Sequence, residues 1–352
     1  MSSPPESLPE ISAGPVRKWK PRWWWPLASG VTYGIAIRLI FSGEPHGPYT
    51  AMMGSFTLLV PMLVGAVTVM LAERIARRSW AYYFWAAAAA NALFVVGTLA
   101  LSIEGLICCI LAVPLFSLLG GIGGLLTGAL CRQKKWPRES AYGFAVLPLA
   151  LGGLEQNLPL PNTIQSVEQS RSVAAPPAAV WEHLLSAKSI RPDEMSDGLM
   201  YRMGVPLPLS AATEEQGGKL VRHITMGKNI HFDQEATTWQ PNRQVLWTYR
   251  FTKDSFPPNA LDDHVRIGGR YFDVIDTEYT IDEIPSGSSL RVVMHYRVST
   301  NFNWYVRPIA AFLVTNFERT ALAFYARRAE SVPTHRGTIS GSSPRAKRQA
   351  AA

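Results

Sequence analysis

From Trp23 to Leu154 the chain is a succession of apolar stretches closed by basic residues, and beyond Ser166 that pattern stops. Nothing else restricts the fold as strongly, because a long apolar stretch with charged ends must be buried in lipid or in a helical core. Arg17, Lys18, Lys20 and Arg22 precede Trp23-Trp24-Trp25, an interfacial anchor at a cytoplasmic helix end. A first span, Trp24–Phe41, carries Arg38, placed to snorkel toward the far interface. A second, Thr50–Ala72, contains Pro61 and is followed by Arg74, Arg77 and Arg78. A third, Trp80–Ser102, offers the small face Ala86–Ala90. After the minimal loop Ser102-Ile103-Glu104-Gly105, a fourth runs from Leu106 to Leu130, and Arg132, Lys134, Lys135 and Arg138 follow it. The loops Gly43–Tyr49 and Ser102–Gly105 carry no Lys or Arg, so basic and non-basic ends alternate as four spans with a cytoplasmic N-terminus require.

The stretch Ala141–Leu154 decides the topology. Its 14 residues make about 21 Å of helix against about 30 Å of hydrocarbon. It is a short fifth span or a re-entrant or interfacial helix. Its polar residues form no stripe, as an interfacial helix would need. The reading adopted is five spans, in a bacterial inner or plasma membrane, with the following domain extracytoplasmic. Gly120, Gly124 and Gly128 lie on one helix face, suited to close packing within the bundle or to a homo-oligomer seam. Acidic residues stand only at span ends, Glu73 and Glu104, so the bundle is expected to be an anchor rather than an ion pathway.

The net charge of +8 could suggest nucleic acid. Many of the basic residues, however, flank apolar spans, and a second cluster sits in the tail at Arg345, Lys347 and Arg348, so no nucleic-acid partner is expected. The three cysteines, Cys108, Cys109 and Cys131, all lie in or beside apolar segments, which leaves no disulfide framework. Four regions follow: a disordered basic N-terminus (1–22), a transmembrane helical domain (23–155), a water-soluble domain (165–330) and a disordered basic tail (331–352).

The soluble region opens with a strand over Gln165–Ala174 and a short helix over Ala178–Leu185, started by Pro176-Pro177. Strands are expected at Leu220–Met226 and Ile230–Thr238, joined by the turn Gly227-Lys228-Asn229, then at Gln244–Phe251, Thr277–Ile284 and Leu290–Ser299. Trp304–Glu330 has helical period, with Tyr305, Ile309, Phe312, Leu313, Phe317, Thr320 and Phe324 on one face. A strand, a short helix, about five antiparallel strands and a long helix are accommodated by a strongly bent sheet wrapping that helix. Such a wrap leaves a cavity suited to an apolar ligand.

Ser172-Val173-Ala174-Ala175-Pro176-Pro177-Ala178-Ala179-Val180-Trp181 resembles the opening of the START-like, or SRPBCC, superfamily (polyketide cyclase/dehydrase, Bet v 1-like). Trp239-Gln240-Pro241-Asn242-Arg243 is similar to its W-x-P-x-R turn. The resemblance covers about residues 165–330. It implies a helix-grip α+β fold, an antiparallel curved sheet around a long C-terminal helix, whose members bind lipids, sterols or polyketides and are in some cases cyclases. A multi-span N-terminus is not part of the general pattern.

Expected cavity residues are Trp247, Tyr249, Phe251, Arg270, Tyr271, Tyr279, Phe312 and Phe317. The most site-like segment is Asp262–Asp276, where His264 with Asp263 or Asp273 is a candidate acid/base pair. The alternative is a loop closing the cavity mouth, with Arg270 paired to Asp273 or Asp276. His223 and His231 could face each other across a hairpin, but no third ligand is evident, so neither metal nor cofactor is expected. Three functions remain open: membrane-anchored binding or transport of a hydrophobic small molecule or lipid, a cyclase- or dehydratase-like enzyme, and a non-catalytic structural or signalling protein.

Overall fold

The computed structural model describes residues 23–43, 47–133 and 146–331; the expectations for 1–22 and 332–352 lie outside them. The N-terminal part is helical: α1 (Trp25–Ile40), α2 (Val60–Ile75), α3 (Trp80–Ala100), α4 (Leu106–Arg132) and α5 (Leu147–Glu155). Among the described residues, three helical stretches are long and apolar enough to cross a membrane, Ser55–Ile75, Trp80–Ala100 and Leu106–Arg132. Of the four or five spans expected, the first reduces to the 16 residues of α1, about 24 Å of helix. Of Ala141–Leu154, only the part within α5 lies among the described residues.

A π-helical turn, Ser55–Leu59, leads directly into α2, and Pro61 sits just beyond it. The widened turn accommodates a proline that would otherwise kink the helix. Asn91 of α3 donates to the Pro61 and Ala87 carbonyls.

The glycine face of α4 is used inside the bundle. A Cβ on Gly124 would lie 2.3 Å from the Tyr83 carbonyl oxygen, and one on Gly128 2.2 Å from the Tyr83 ring. Helix α3 therefore occupies the face proposed as an oligomer seam. The outward faces are apolar instead: Leu93, Val96, Leu118 and Leu126 are about half exposed.

The bundle has two distinct ends. At one, Arg132 donates to the Tyr83 hydroxyl and the Arg78 carbonyl and stacks on Trp80. At the other, Glu155 of α5 accepts from the backbone N–H groups of Gly54 and Ser55.

The second part contains β1 (Thr163–Val173), α6 (Pro177–Leu185), the single turns α7 (Pro192–Met195) and α8 (Leu199–Arg202), β2 (Pro208–Gln216), β3 (Lys219–Met226), β4 (His231–Gln240), β5 (Gln244–Arg250), β6 (Phe272–Ile284), β7 (Gly287–Val298) and α9 (Asn303–Ser331). The strands form one antiparallel sheet ordered β1-β7-β6-β5-β4-β3-β2, curved against α9. Alternate residues of β7, Leu290, Val292, Met294, Tyr296 and Val298, are all buried, as period-2 patterning requires. The turn between β3 and β4 holds Lys228 at φ 56° and Asn229 at φ 59°. Strand β2 was not expected: Pro208–Gln216 is largely polar, and an edge strand with one weakly buried face carries little alternation.

Two expectations are corrected. His223 pairs with Asp233 and His231 with Asp254, so the two imidazoles do not face each other; the β3–β4 register sets His223 opposite Asp233. Phe312 is 61% exposed, because the buried face of α9 runs through Ala310, Val314, Glu318, Ala321, Leu322 and Tyr325.

Glu318 is an exception to that apolar face. It is fully buried, and neither carboxyl oxygen has a hydrogen-bond partner of ordinary geometry. Burial raises its pKa to about 8, with only a small opposing pull from the Met294 backbone. Between the ordinary value of 4.5 and 8 the folded chain holds a proton that the unfolded chain has lost. Stability should therefore fall as pH rises through that window, by up to about 1.4 kcal/mol per pH unit. Melting curves of the detergent-solubilised full chain between pH 5 and 8 should show this slope, and Glu318→Gln should flatten it and raise the melting temperature at pH 8. An unchanged slope would assign the pH dependence to other groups.

Candidate functional site: a cavity across the seam

The curved-sheet domain docks on the end of the bundle opposite Arg132. Tyr271 donates to the Thr50 hydroxyl at 2.9 Å, and Tyr305 of α9 donates to the Leu111 carbonyl at 2.7 Å. Asn301 donates to Glu155, which also caps the π turn. Tyr305 packs on the bundle core of Phe41, Phe56, Phe94 and Phe116, so the start of α9 belongs to both units.

One cavity of about 360 Å³ runs through this seam. Its bundle wall includes Phe56, Phe94, Leu115 and Phe116; its domain wall includes Tyr249, Met294, Val314, Phe317 and Tyr325. The lining is overwhelmingly apolar. Several of the polar side chains that reach it are engaged by protein: Tyr249 with Thr277, Tyr271 with Thr50, and Arg222 with Gln234 and the Leu184 carbonyl. A second, more polar cavity of about 260 Å³ lies alongside, lined by Thr50, Glu155, Arg270 and Asn301 among others.

Of the residues expected to line the cavity, Tyr249, Tyr271, Tyr279 and Phe317 do so. Arg270 lines the second cavity. Trp247 is wholly buried in the domain core, with the Arg222 guanidinium 4.5 Å from its ring centre. Phe251 packs with Phe232 and Phe256. Phe312 points away. The entire bundle wall was missed, since nothing in an apolar helix distinguishes a residue facing a cavity from one facing lipid.

One polar group of residues stands at the wall. Arg38 donates through Nε to Glu104 at 2.6 Å and through Nη1 to the Phe41 carbonyl; its side chain is 8% exposed and that of Glu104 13%. It does not snorkel but forms a buried ion pair with the start of α4. Beside it, His264 Nδ1 lies 2.9 Å from Asp262 Oδ1, 3.6 Å from Glu104 Oε2 and 3.8 Å from Cys108 Sγ. Asp262 also accepts from the backbone N–H groups of Gly105 and His264. Burial pushes the Asp262 carboxyl up, but the hydrogen bond and charge of His264 outweigh it and hold it well below the carboxylate range. Burial pulls His264 down, yet the Asp262 hydrogen bond and charge, with Glu104 behind them, leave it above its ordinary value. The partner of His264 is thus Asp262, not Asp263 or Asp273. Asp263 pairs with Arg266, while Asp273 accepts from the Gly268 N–H and lies 3.9 Å from Arg297. Asp276 is bonded to His295. The spacing Asp-x-His, in which a carboxylate folds back on the N–H two residues on, was the available signal.

No family model matches the chain, and no curated protein does. Among solved structures it is similar to the Zhui aromatase/cyclase from Streptomyces sp. R1128, at 17% identity over 48% of this chain and 94% of that one, TM-score 0.31. It is similar to the di-domain ARO/CYC BexL from the BE-7585A biosynthetic pathway, at 15% identity over 55% of this chain and 58% of that one, TM-score 0.30. It is also similar to Ara h 8.0201, at 12% over 47% and 98%, TM-score 0.27. At such scores these likenesses carry no activity across, and the fold rests on the strand order and helix described above.

Breaking a buried ion pair leaves one charge without its partner. Glu104→Leu or Arg38→Met should each cost about 3–5 kcal/mol, read as a lower melting temperature of the full chain in detergent. Arg38→Met with Glu104→Leu should recover most of that loss. Simple addition of the two single losses would show that the pair is not coupled.

Proposed function

We propose that this chain is a membrane-anchored binding protein that holds a hydrophobic small molecule or lipid in the cavity between its helical bundle and its curved-sheet domain. The observation that carries the reading is the shared lining. Its volume falls within the range of small-molecule sites, and phenylalanines of the bundle and residues beneath α9 form its walls together. The apolar outward faces of α3 and α4 and three helices of spanning length support burial of the bundle in a bilayer. An apolar guest could then pass from lipid to cavity with little exposure to water. The START-like resemblance of residues 165–330 agrees with an internal apolar site.

The cyclase- or dehydratase-like alternative requires a polar group free to act on the guest. Apart from the group around His264, which Asp262 holds through Nδ1, the lining is overwhelmingly apolar, which favours binding over turnover. A structural or signalling role would be better served by a solidly packed interior.

Binding of a fluorescent fatty-acid probe by the full chain in nanodiscs should test the reading. Val314→Trp, which fills the cavity from α9, should weaken probe binding by at least about tenfold, or about 1.4 kcal/mol, whereas Leu209→Ala on the outer edge strand should not. Unchanged probe affinity in Val314→Trp would remove the cavity as the binding site.

We further propose that the domain lies outside the cytoplasm. It sits at the bundle end that carries Ser102–Gly105, opposite Arg78 and Arg132, and the positive-inside rule supports that side. A cysteine at exposed Leu209 should react with a membrane-impermeant maleimide in intact cells, and one at Ala76 only after lysis. The reverse labelling would put the domain in the cytoplasm and leave the five-span reading untenable.

A further inference from the structure

We propose that Glu104, Cys108, Asp262 and His264 form a zinc site that fastens the curved-sheet domain to the helical bundle. Each residue offers one ligand atom, and all four atoms lie within 4.8 Å of one another. From His264 Nδ1 the other three stand at 2.9, 3.6 and 3.8 Å. A tetrahedral ion with bonds of about 2.0–2.3 Å spreads its donor atoms roughly 3.3–3.6 Å apart, so small side-chain adjustments bring the four into a coordination shell. The donors come from two distant parts of the sequence. Glu104 and Cys108 are four residues apart at the start of α4, and Asp262 and His264 two apart in the β5–β6 loop.

The donor chemistry narrows the metal. A thiolate and an imidazole beside two carboxylates suit zinc, whereas magnesium and calcium take oxygen alone. Four protein donors fill a tetrahedral shell, as in structural sites, and leave no open position for a reacting water. The surroundings orient the donors. Arg38 holds Glu104 Oε1 and leaves Oε2 toward His264, and the Gly105 N–H holds Asp262 Oδ2. Such outer contacts fix the geometry of metal ligands.

Charge also balances. With zinc bound, Arg38 and the dication offset three anionic ligands, Glu104, Asp262 and the Cys108 thiolate, so the occupied site buries no net charge beside an apolar cavity. The site is independent of the ligand reading, since a chain could hold zinc and no lipid, or the reverse.

The full chain should be purified in detergent without chelator, through an affinity tag that binds no metal. Elemental analysis should give about one zinc per chain. Cys108→Ser and His264→Ala should each lower the zinc content or affinity at least about tenfold, and Cys131→Ser, at the far end of α4, should leave it intact. Elution volume and near-ultraviolet circular dichroism check that each variant remains folded. Cobalt supplied to the wild-type chain decides the matter without any variant. A thiolate-to-cobalt charge-transfer band with intense tetrahedral visible bands is expected. Weak octahedral bands without charge transfer, or full zinc retention in Cys108→Ser, would overturn the site.

Discussion

The ion pair between Arg38 and Glu104 is the contact on which the arrangement of the two halves depends. A guanidinium and a carboxylate in apolar surroundings are tolerated only when each has its counter-charge and its hydrogen bonds. Helix α1 cannot satisfy Arg38 by itself, because its C-terminal turn offers one carbonyl, that of Phe41. Glu104 lies at the start of α4, and its second oxygen faces His264 across the seam. Asp262 is in turn held by the Gly105 N–H. Arg38 and Glu104 thus pair within the bundle and Asp262 and His264 within the β5–β6 loop, and the Gly105–Asp262 hydrogen bond and the approach of Glu104 to His264 join the two pairs across the seam. The flanking contacts, Tyr271 to Thr50, Tyr305 to Leu111 and Asn301 to Glu155, fix the same interface with neutral or singly charged hydrogen bonds.

This dependence explains which parts of the structure were legible in the sequence. Helices α2 to α4 follow from hydropathy, and β5 and β7 from alternation, because those signals are local. Strand β2 escaped because an edge strand buries little, and Phe312 was misassigned because a helical period alone does not say which side of the stripe meets the sheet. The candidate site was half visible. His264 was identified, but its partner was sought at Asp263 and Asp273, although Asp262 reaches it through a local turn. Glu104 and Cys108 were read as a span end and an ordinary apolar-segment cysteine. Their relation to His264 spans 156 or more residues of chain, and only the docking of the domain creates it.

The cavity has the same origin. A sheet bent around a helix leaves a space with a mouth, and here the bundle forms the far wall of that space. Phe56, Phe94 and Phe116 pack against one another and so provide a stiff surface. The polar atoms at the walls are largely spoken for: Tyr249 by Thr277, Tyr271 by Thr50, Arg222 by Gln234 and Leu184. A guest inside meets few unsatisfied donors or acceptors. On the proposed binding role, selection rests on volume and shape, which discriminate weakly, by about 1–3 kcal/mol per methylene. Hydrogen-bonded recognition of a single compound would need polar groups left free, and those at these walls are bonded to other protein groups, within the domain or, for Tyr271, across the seam. The architecture is thus suited to a class of apolar molecules rather than to one member of it.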